Sequence, residues 1–267
     1  MSARQALYVV AAVVIALVVY VVAVRRFQHD AKLNQYAYSV GAPPADRLEV
    51  TAQIVSVSPL KDSLRVRFGF KPFGKYAADE FGRLATAMTV VVTTVDGYQP
   101  VQLAAARIPV AINKDIELGD GSPNDYPFDR YTARTGISVF ARATPNGAST
   151  KVATVVRYEE NLGNYAIVPA LGTESTRAAV DVRLQIRRSA AIITFSSMMY
   201  AAMVLVSTSV VILTVLVVVR RIDPDFSMML WSAAMLFALP AVRNSLPDSP
   251  PLGSQSDFYV FMWAEFA

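Results

Sequence analysis

The carboxylates that could do chemistry in this chain gather in one stretch, LGDGSPNDYPFDRY, residues 118 to 131. Asp120, Ser122 and Asn124 follow the one-three-five spacing of a calcium-binding loop, and Asp125 and Asp129 are further oxygen donors close by. The pattern departs where it matters. Position six of such a loop is a glycine that allows its sharp turn and position twelve a bidentate glutamate, and here they are Asp125 and Tyr131. Asp125 and Asp129 could also form an acid–base pair, yet no nucleophile elbow, zinc-protease, P-loop or dinucleotide motif accompanies them. The same residues have a structural reading. Gly119, Gly121, Pro123 and Asn124 make a turn between strands. Pro127 fixes its own φ and pushes Tyr126 into an extended conformation. Tyr126 and Phe128 then offer apolar bodies to a sheet edge, and Asp129 accepts backbone N–H bonds or pairs with an arginine. The expectation is a stiff corner, Tyr126-Pro127-Phe128-Asp129, with no catalytic residue and no metal assigned to Asp120, Asp125 or Asp129.

Little other chemistry is on offer. The chain has no cysteine, which removes disulfides, thiolate metal sites and cysteine nucleophiles. His29 is the single histidine and reads as a solvated residue beside the first apolar run. No cofactor is implied. The net charge is +4 and arginines far outnumber lysines. Several arginines adjoin apolar segments, where they would meet lipid headgroups. A basic face interleaved with aromatics on a soluble module is missing, so nucleic-acid binding is not expected.

The elements that must position the corner are strands. From Leu48 onward apolar residues alternate, as in SLRVRFGF, where Leu64, Val66, Phe68 and Phe70 face one way and Arg65 and Arg67 the other. LEVTAQIVSV, TAMTVVVTTV, TGISVFARA, TKVATVVRY, YAIVPA and AAVDVRLQI continue the pattern, separated by the turn signals DGYQP, LGDGSPND, TPNGAS and ENLGN. Seven or eight strands over residues 48–188 predict an antiparallel β-sandwich, preceded by a linker at residues 30–47.

The rest is apolar. With 54% hydrophobic and 17% charged residues, the chain falls below the roughly 25% charge of soluble domains. Ala6 to Val24 carries no charge, Gly or Pro, is about 28 Å long as a helix, and reads as an uncleaved anchor within residues 1–29. Residues 189–219 and 226–242 form two further spans joined by a short turn. Arg187, Arg188, Arg220, Arg221 and Arg243 mark the membrane junctions. Hydroxyls on the second span and small residues at four-residue spacing, such as Ser197/Ala201 and Ala234/Ala238, suit close helix packing. Residues 244–267 begin as a Pro/Ser-rich loop and end in FYVFMWAEFA, which reads as part of a further span or as an interfacial aromatic anchor. The short RRIDPD connector favours a cytoplasmic turn. That places the N-terminus in the cytoplasm and the β-domain outside, in a multi-pass protein of the cell membrane.

The anchor, the YPFDRY stretch and RNSLPDSPPLGSQSDFYVFMW together resemble an uncharacterised family of bacterial and fungal integral membrane proteins, domain of unknown function 4436. The resemblance implies a membrane protein of unassigned activity and no catalytic residues. A weaker similarity of layout is to pentameric ligand-gated ion channels, which also place an aromatic-Pro-Phe-Asp turn and an arginine-bearing strand ahead of a membrane helix. The leading expectation is a non-enzymatic membrane protein whose external sandwich binds a partner or ligand and whose helices anchor it or pack into a complex, with the bilayer and a membrane-protein partner or a second copy as companions. A channel-like or transport subunit assembling through the second and third spans is the alternative. A lipid-surface hydrolase would rest on Asp125 and Asp129 alone.

Overall fold

The computed structural model describes residues 42–142, 149–160, 162–173, 175–223, 225–248 and 250–266, Asn34–Tyr38, and Val18, Tyr20, Val21, Val22, Val24, Arg25 and Gln28. The seven scattered residues are helical; the remainder of the expected 6–24 span, and His29, lie outside the described residues. The chain is mixed α+β and divides into two units. One holds residues 31–121 and 130–187, the other residues 1–30, 122–129 and 188–267.

Among the described residues the first unit is a large sheet of eleven strands: β1 Asn34–Tyr38, β2 Arg47–Ser58, β3 Ser63–Phe73, β4 Met88–Thr94, β5 Gly97–Leu103, β6 Ile112–Gly119, β7 Arg130–Arg142, β8 Ser149–Lys151, β9 Thr154–Glu160, β10 Tyr165–Leu171 and β11 Ala179–Arg188. The pairing path runs β1-β9-β2-β3-β6-β7-β11-β10, with β4 joined to β7, β5 to β4 and β8 to β7. Alternation explains the strands that the sequence marks. Leu64, Val66 and Phe68 on β3 are fully buried while Arg65 and Arg67 face solvent. On β11, Val180, Val182, Leu184 and Ile186 point inward. One cluster gathers Val50, Phe68, Val90, Ile137 and Val182 from strands far apart on the path.

Two expectations need correcting. Among the described residues β2–β11 make ten strands where seven or eight were expected, because β5, β6 and the three-residue β8 carry weak patterns, and β1, Asn34–Tyr38, lies in the stretch expected to be a linker. β5, GYQPVQL, is largely exposed, pairs only with β4 and tolerates Pro100 on that edge. β6 buries only Ile116 and Leu118 fully. The sheet is also not purely antiparallel: β2 pairs with β9 in parallel, Leu48 opposite Thr154 through Ile54 opposite Glu160.

The second unit contains α1 Ala190–Val218, α2 Phe226–Asn244 and the short α3 Met262–Phe266, the last preceded by a π-helical turn at Asp257–Phe261. Ser189 caps α1, its hydroxyl accepting from the Ile192 N–H at 3.3 Å. Its other end closes with Arg220 at φ 55°. The Arg220 and Arg221 N–H groups return to Val217 and Leu216, which satisfies carbonyls the helix leaves open. α2 runs through Pro240 to Asn244, two residues beyond the expected 242; the Arg243 side chain, held by a carboxylate, secures that last turn. α1 and α2 are long and apolar enough to cross a membrane.

Gly121 shows how tightly the sheet unit closes beside the acidic loop. A Cβ there would sit 2.2 Å from the Arg130 carbonyl and 2.6 Å from the Tyr131 ring. Gly121→Ala is expected to destabilise the protein by about 1–3 kcal/mol, read as a lowered melting temperature of the full chain in detergent.

Candidate functional site

The carboxylates of the acidic stretch are bonded to other parts of the chain. Asp120, in the sheet unit, accepts the Thr132 hydroxyl at 2.9 Å. Asp125 accepts from the Gln255 amide at 2.7 Å. Asp129 takes the Arg188 Nε at 3.0 Å on both oxygens. Among the described residues no group of three His, Cys, Asp or Glu is placed to hold a metal ion.

What forms instead is a polar cluster inside the helical unit. The loop Ser122–Asp129 belongs to that unit. Ser122 caps its 3₁₀ turn at Pro123–Asp125, and the Phe128 N–H returns to the Asp125 carbonyl at 2.8 Å. The peptide bond between Tyr126 and Pro127 is cis. Tyr126 is 2% exposed and packs with Tyr200, Met203, Leu239, Leu246 and Ala264. Its phenol hydrogen-bonds Ser196 at 2.7 Å and lies 3.0 Å from the Pro247 carbonyl. Burial pushes that phenol's pKa up, against a smaller opposite pull from Ser196. The Arg188 guanidinium carbon stands 5.2 Å from the Tyr126 ring centroid, so the cation rests on an aromatic body.

Two arginines organise the cluster. Arg188, with 6% of its side chain exposed, binds the fully buried Asp129 and also Asp248. Arg243, equally buried, makes a two-pronged bond to Asp257 at 2.9 and 2.7 Å and donates to the Pro250 and Pro251 carbonyls at 3.1 Å. The Gly253 N–H adds a bond to Asp257 at 3.0 Å. Burial alone would push the Asp257 carboxyl up, but Arg243 and Gly253 outweigh it and hold it below the usual carboxylate range. One stripe of α1 completes the set. Ser196, Tyr200, Met203 and Ser207 are its buried residues, at spacings of four, three and four, and so share a face. Tyr200 donates to Ser256 at 2.7 Å, and Ser207 to the Ala264 carbonyl at 2.8 Å.

The arrangement neutralises charge and fixes position. The sequence singled out Tyr126, Asp129, Arg188 and Arg243, and the structure brings all four into this unit. Arg220 and Arg221 stay exposed at the end of α1, and Arg187 is exposed on β11. Phe128 departs from expectation. It is 66% exposed and joins no core, because Tyr126 takes the inward position. Asp248, Asp257, Ser254 and Ser256 were not singled out as partners. The Pro/Ser-rich loop hid them, and only an arginine with no nearby acid could have pointed there.

Three outcomes follow. Asp129→Ala leaves Arg188 buried without its main counter-charge and is expected to cost about 3–5 kcal/mol, seen as a large drop in melting temperature. Phe128→Ala is expected to stay within about 0.5 kcal/mol of the parent. Asp257 has a folded pKa below its unfolded one, so its contribution is complete above the ordinary carboxylate range of about 4 and drains away as pH falls through the lower folded value. Melting temperature against pH should therefore fall on the acid side, and Asp257→Asn should flatten that limb.

The profile of Domain of unknown function (DUF4436) matches residues 38–186, the sheet-bearing part of the chain. That of Domain of unknown function (DUF8686) matches residues 188–267, which carry the two apolar helices and the Arg243–Asp257 pair. No curated protein matches. With more than half its length matched, this chain belongs to the DUF4436 family.

Proposed function

We propose that the chain is a non-enzymatic integral membrane protein, multi-pass in the cell membrane, whose β-domain lies outside the cytoplasm and binds a partner or ligand while its helices anchor it or pack into a complex. The carrying observation is the surface of α1 and α2. Leu205, Ile212, Val215 and Val218 on α1, and Phe226, Met229, Leu230 and Phe237 on α2, are exposed large apolar side chains, a continuous display that water does not tolerate and lipid does. The buried Ser196, Tyr200 and Ser207 of α1 sit against the chain's own segments, as polar groups inside a bilayer must. The sheet, with core residues drawn from both halves of its pairing path, is a folded-over two-layer sandwich in this reading. Arg220 and Arg221, on the short connector, favour a cytoplasmic turn, which puts the N-terminus on that side.

A channel-like subunit assembling through α1 and α2 draws less support, because the hydroxyls that would line a pore are engaged: Ser196 with Tyr126, Ser207 with Ala264, Ser197 with the Ile193 carbonyl. The deciding experiment is extraction followed by proteolysis. The full-length protein is expected to stay with membranes through alkaline carbonate, and protease added to intact cells whose outer barrier is permeabilised should cut between residues 48 and 188. Release by carbonate would end the membrane reading, and protection of the domain would reverse its orientation.

A further inference from the structure

The outward face of the β7–β11 pair sets like charges against each other. Arg187 stands opposite Arg130 and Arg183 opposite Arg134, with Gln185 opposite Thr132 between them. The four arginines and Gln185 are exposed, while Tyr131, Ala133, Leu184 and Ile186 point inward. Directly opposed residues in an antiparallel pair have Cβ atoms about 5 Å apart, and like charges there cost stability. Elsewhere in the sheet unit some strand cations find acids: Arg65 binds Asp115 at 2.8 Å and Arg157 binds Glu49 at 3.0 Å. Among the described residues, none of the four facing arginines has an ion pair with a carboxylate. The nearest acids are on the flanks: Asp120, occupied by Thr132, Glu117 beside Arg134, and Asp181, the next outward residue of β11.

We infer that the Arg130–Arg187 end of this face binds the phosphate of an anionic phospholipid headgroup. A depression of about 460 Å³ lies there, lined by Arg130, Thr132, Gln185, Arg187, Asp120 and Val168. Two guanidinium forks with the Gln185 amide are the donors that a phosphodiester takes, the Thr132 hydroxyl being spent on Asp120, and guanidinium matches its oxygens in pairs. Chain length names the source of the phosphate. Only Arg188 and Ser189 separate Arg187 from the first residue of α1, so Arg187 lies no more than about 10 Å from the start of that helix. With α1 in a bilayer, this falls within a Debye length of roughly 8–10 Å from the surface, where anionic lipids attract basic side chains. The inference therefore rests on the membrane reading above, and it supplies the counter-charge that the opposed arginines lack.

The test uses the full-length protein in nanodiscs of phosphatidylcholine alone or of an equal mixture with phosphatidylglycerol. Native mass spectrometry reads the lipid retained, and thermal unfolding reads stability. The parent is expected to retain phosphatidylglycerol over phosphatidylcholine. The Arg130→Gln/Arg187→Gln double variant should lose roughly ten- to thirty-fold of that preference, whereas Lys71→Gln/Lys75→Gln, equal in charge removed, should keep it. The double variant should also melt higher than the parent in neutral discs, where the repulsion is relieved, and lose that advantage in anionic discs. A merely structural pair would not change sign with lipid charge. Equal retention by parent and double variant, or parent protection by soluble inorganic phosphate as great as by phosphatidylglycerol, would overturn the assignment. Loss of the protein from membranes in carbonate would instead strike the membrane reading, so the two failures are distinguishable.

Discussion

The helical unit depends on one buried guanidinium. Arg188 has almost no contact with solvent, and a cation taken out of water is tolerated only where its charge and its N–H groups are met. Asp129 meets Nε with both oxygens, Asp248 meets the far end of the fork, and the Tyr126 ring carries its flank. These partners come from the loop Ser122–Asp129 and from the segment after α2, so satisfying one side chain brings into register pieces of chain that are far apart in sequence. The Tyr126 phenol adds bonds to Ser196 on α1 and to the Pro247 carbonyl. The loop is thereby specified by hydrogen bonds as well as by packing.

Arg243 and Asp257 repeat the device within the same unit. The proline-rich connection between them gives up its Pro250 and Pro251 carbonyls to the arginine and its Gly253 N–H to the aspartate. Prolines suit this work because they offer acceptors without a donor that would need burying. With the connection fixed, Ser256 meets Tyr200 and the Ala264 carbonyl meets Ser207, so one face of α1 is covered by the chain itself. Its remaining faces carry exposed apolar side chains, Leu205, Ile212 and Val218 among them.

Much of this architecture was legible beforehand, and the reason is periodicity. Leu64, Val66 and Phe68 alternate with Arg65 and Arg67, so the β3 pattern names both its faces. The residues of α1 are so uniformly apolar that a long helix was the natural reading. β5 and β6 were not legible, because an exposed edge strand with Pro100 and a strand with Lys114 in its inward register carry little apolar alternation. The parallel pairing of β2 with β9 left no trace either, since both strands present the same pattern whichever way they run.

The candidate site divides along the same line. That Tyr126, Pro127 and Phe128 form a turn follows from local chemistry, since proline and short polar side chains constrain their own neighbourhood. Which of its two rings is buried is not a local matter: Tyr126 enters the helical core and Phe128 is left outside. The sequence by itself determined the alternating strands, the apolar helices and the turn, because each is encoded within a few residues or a short period. Only the tertiary structure decided that Asp129 serves Arg188, that Asp257 serves Arg243 and that Arg130 faces Arg187. Those relations join residues up to tens of positions apart, and a pairing of charges across a fold has no period for a sequence to display.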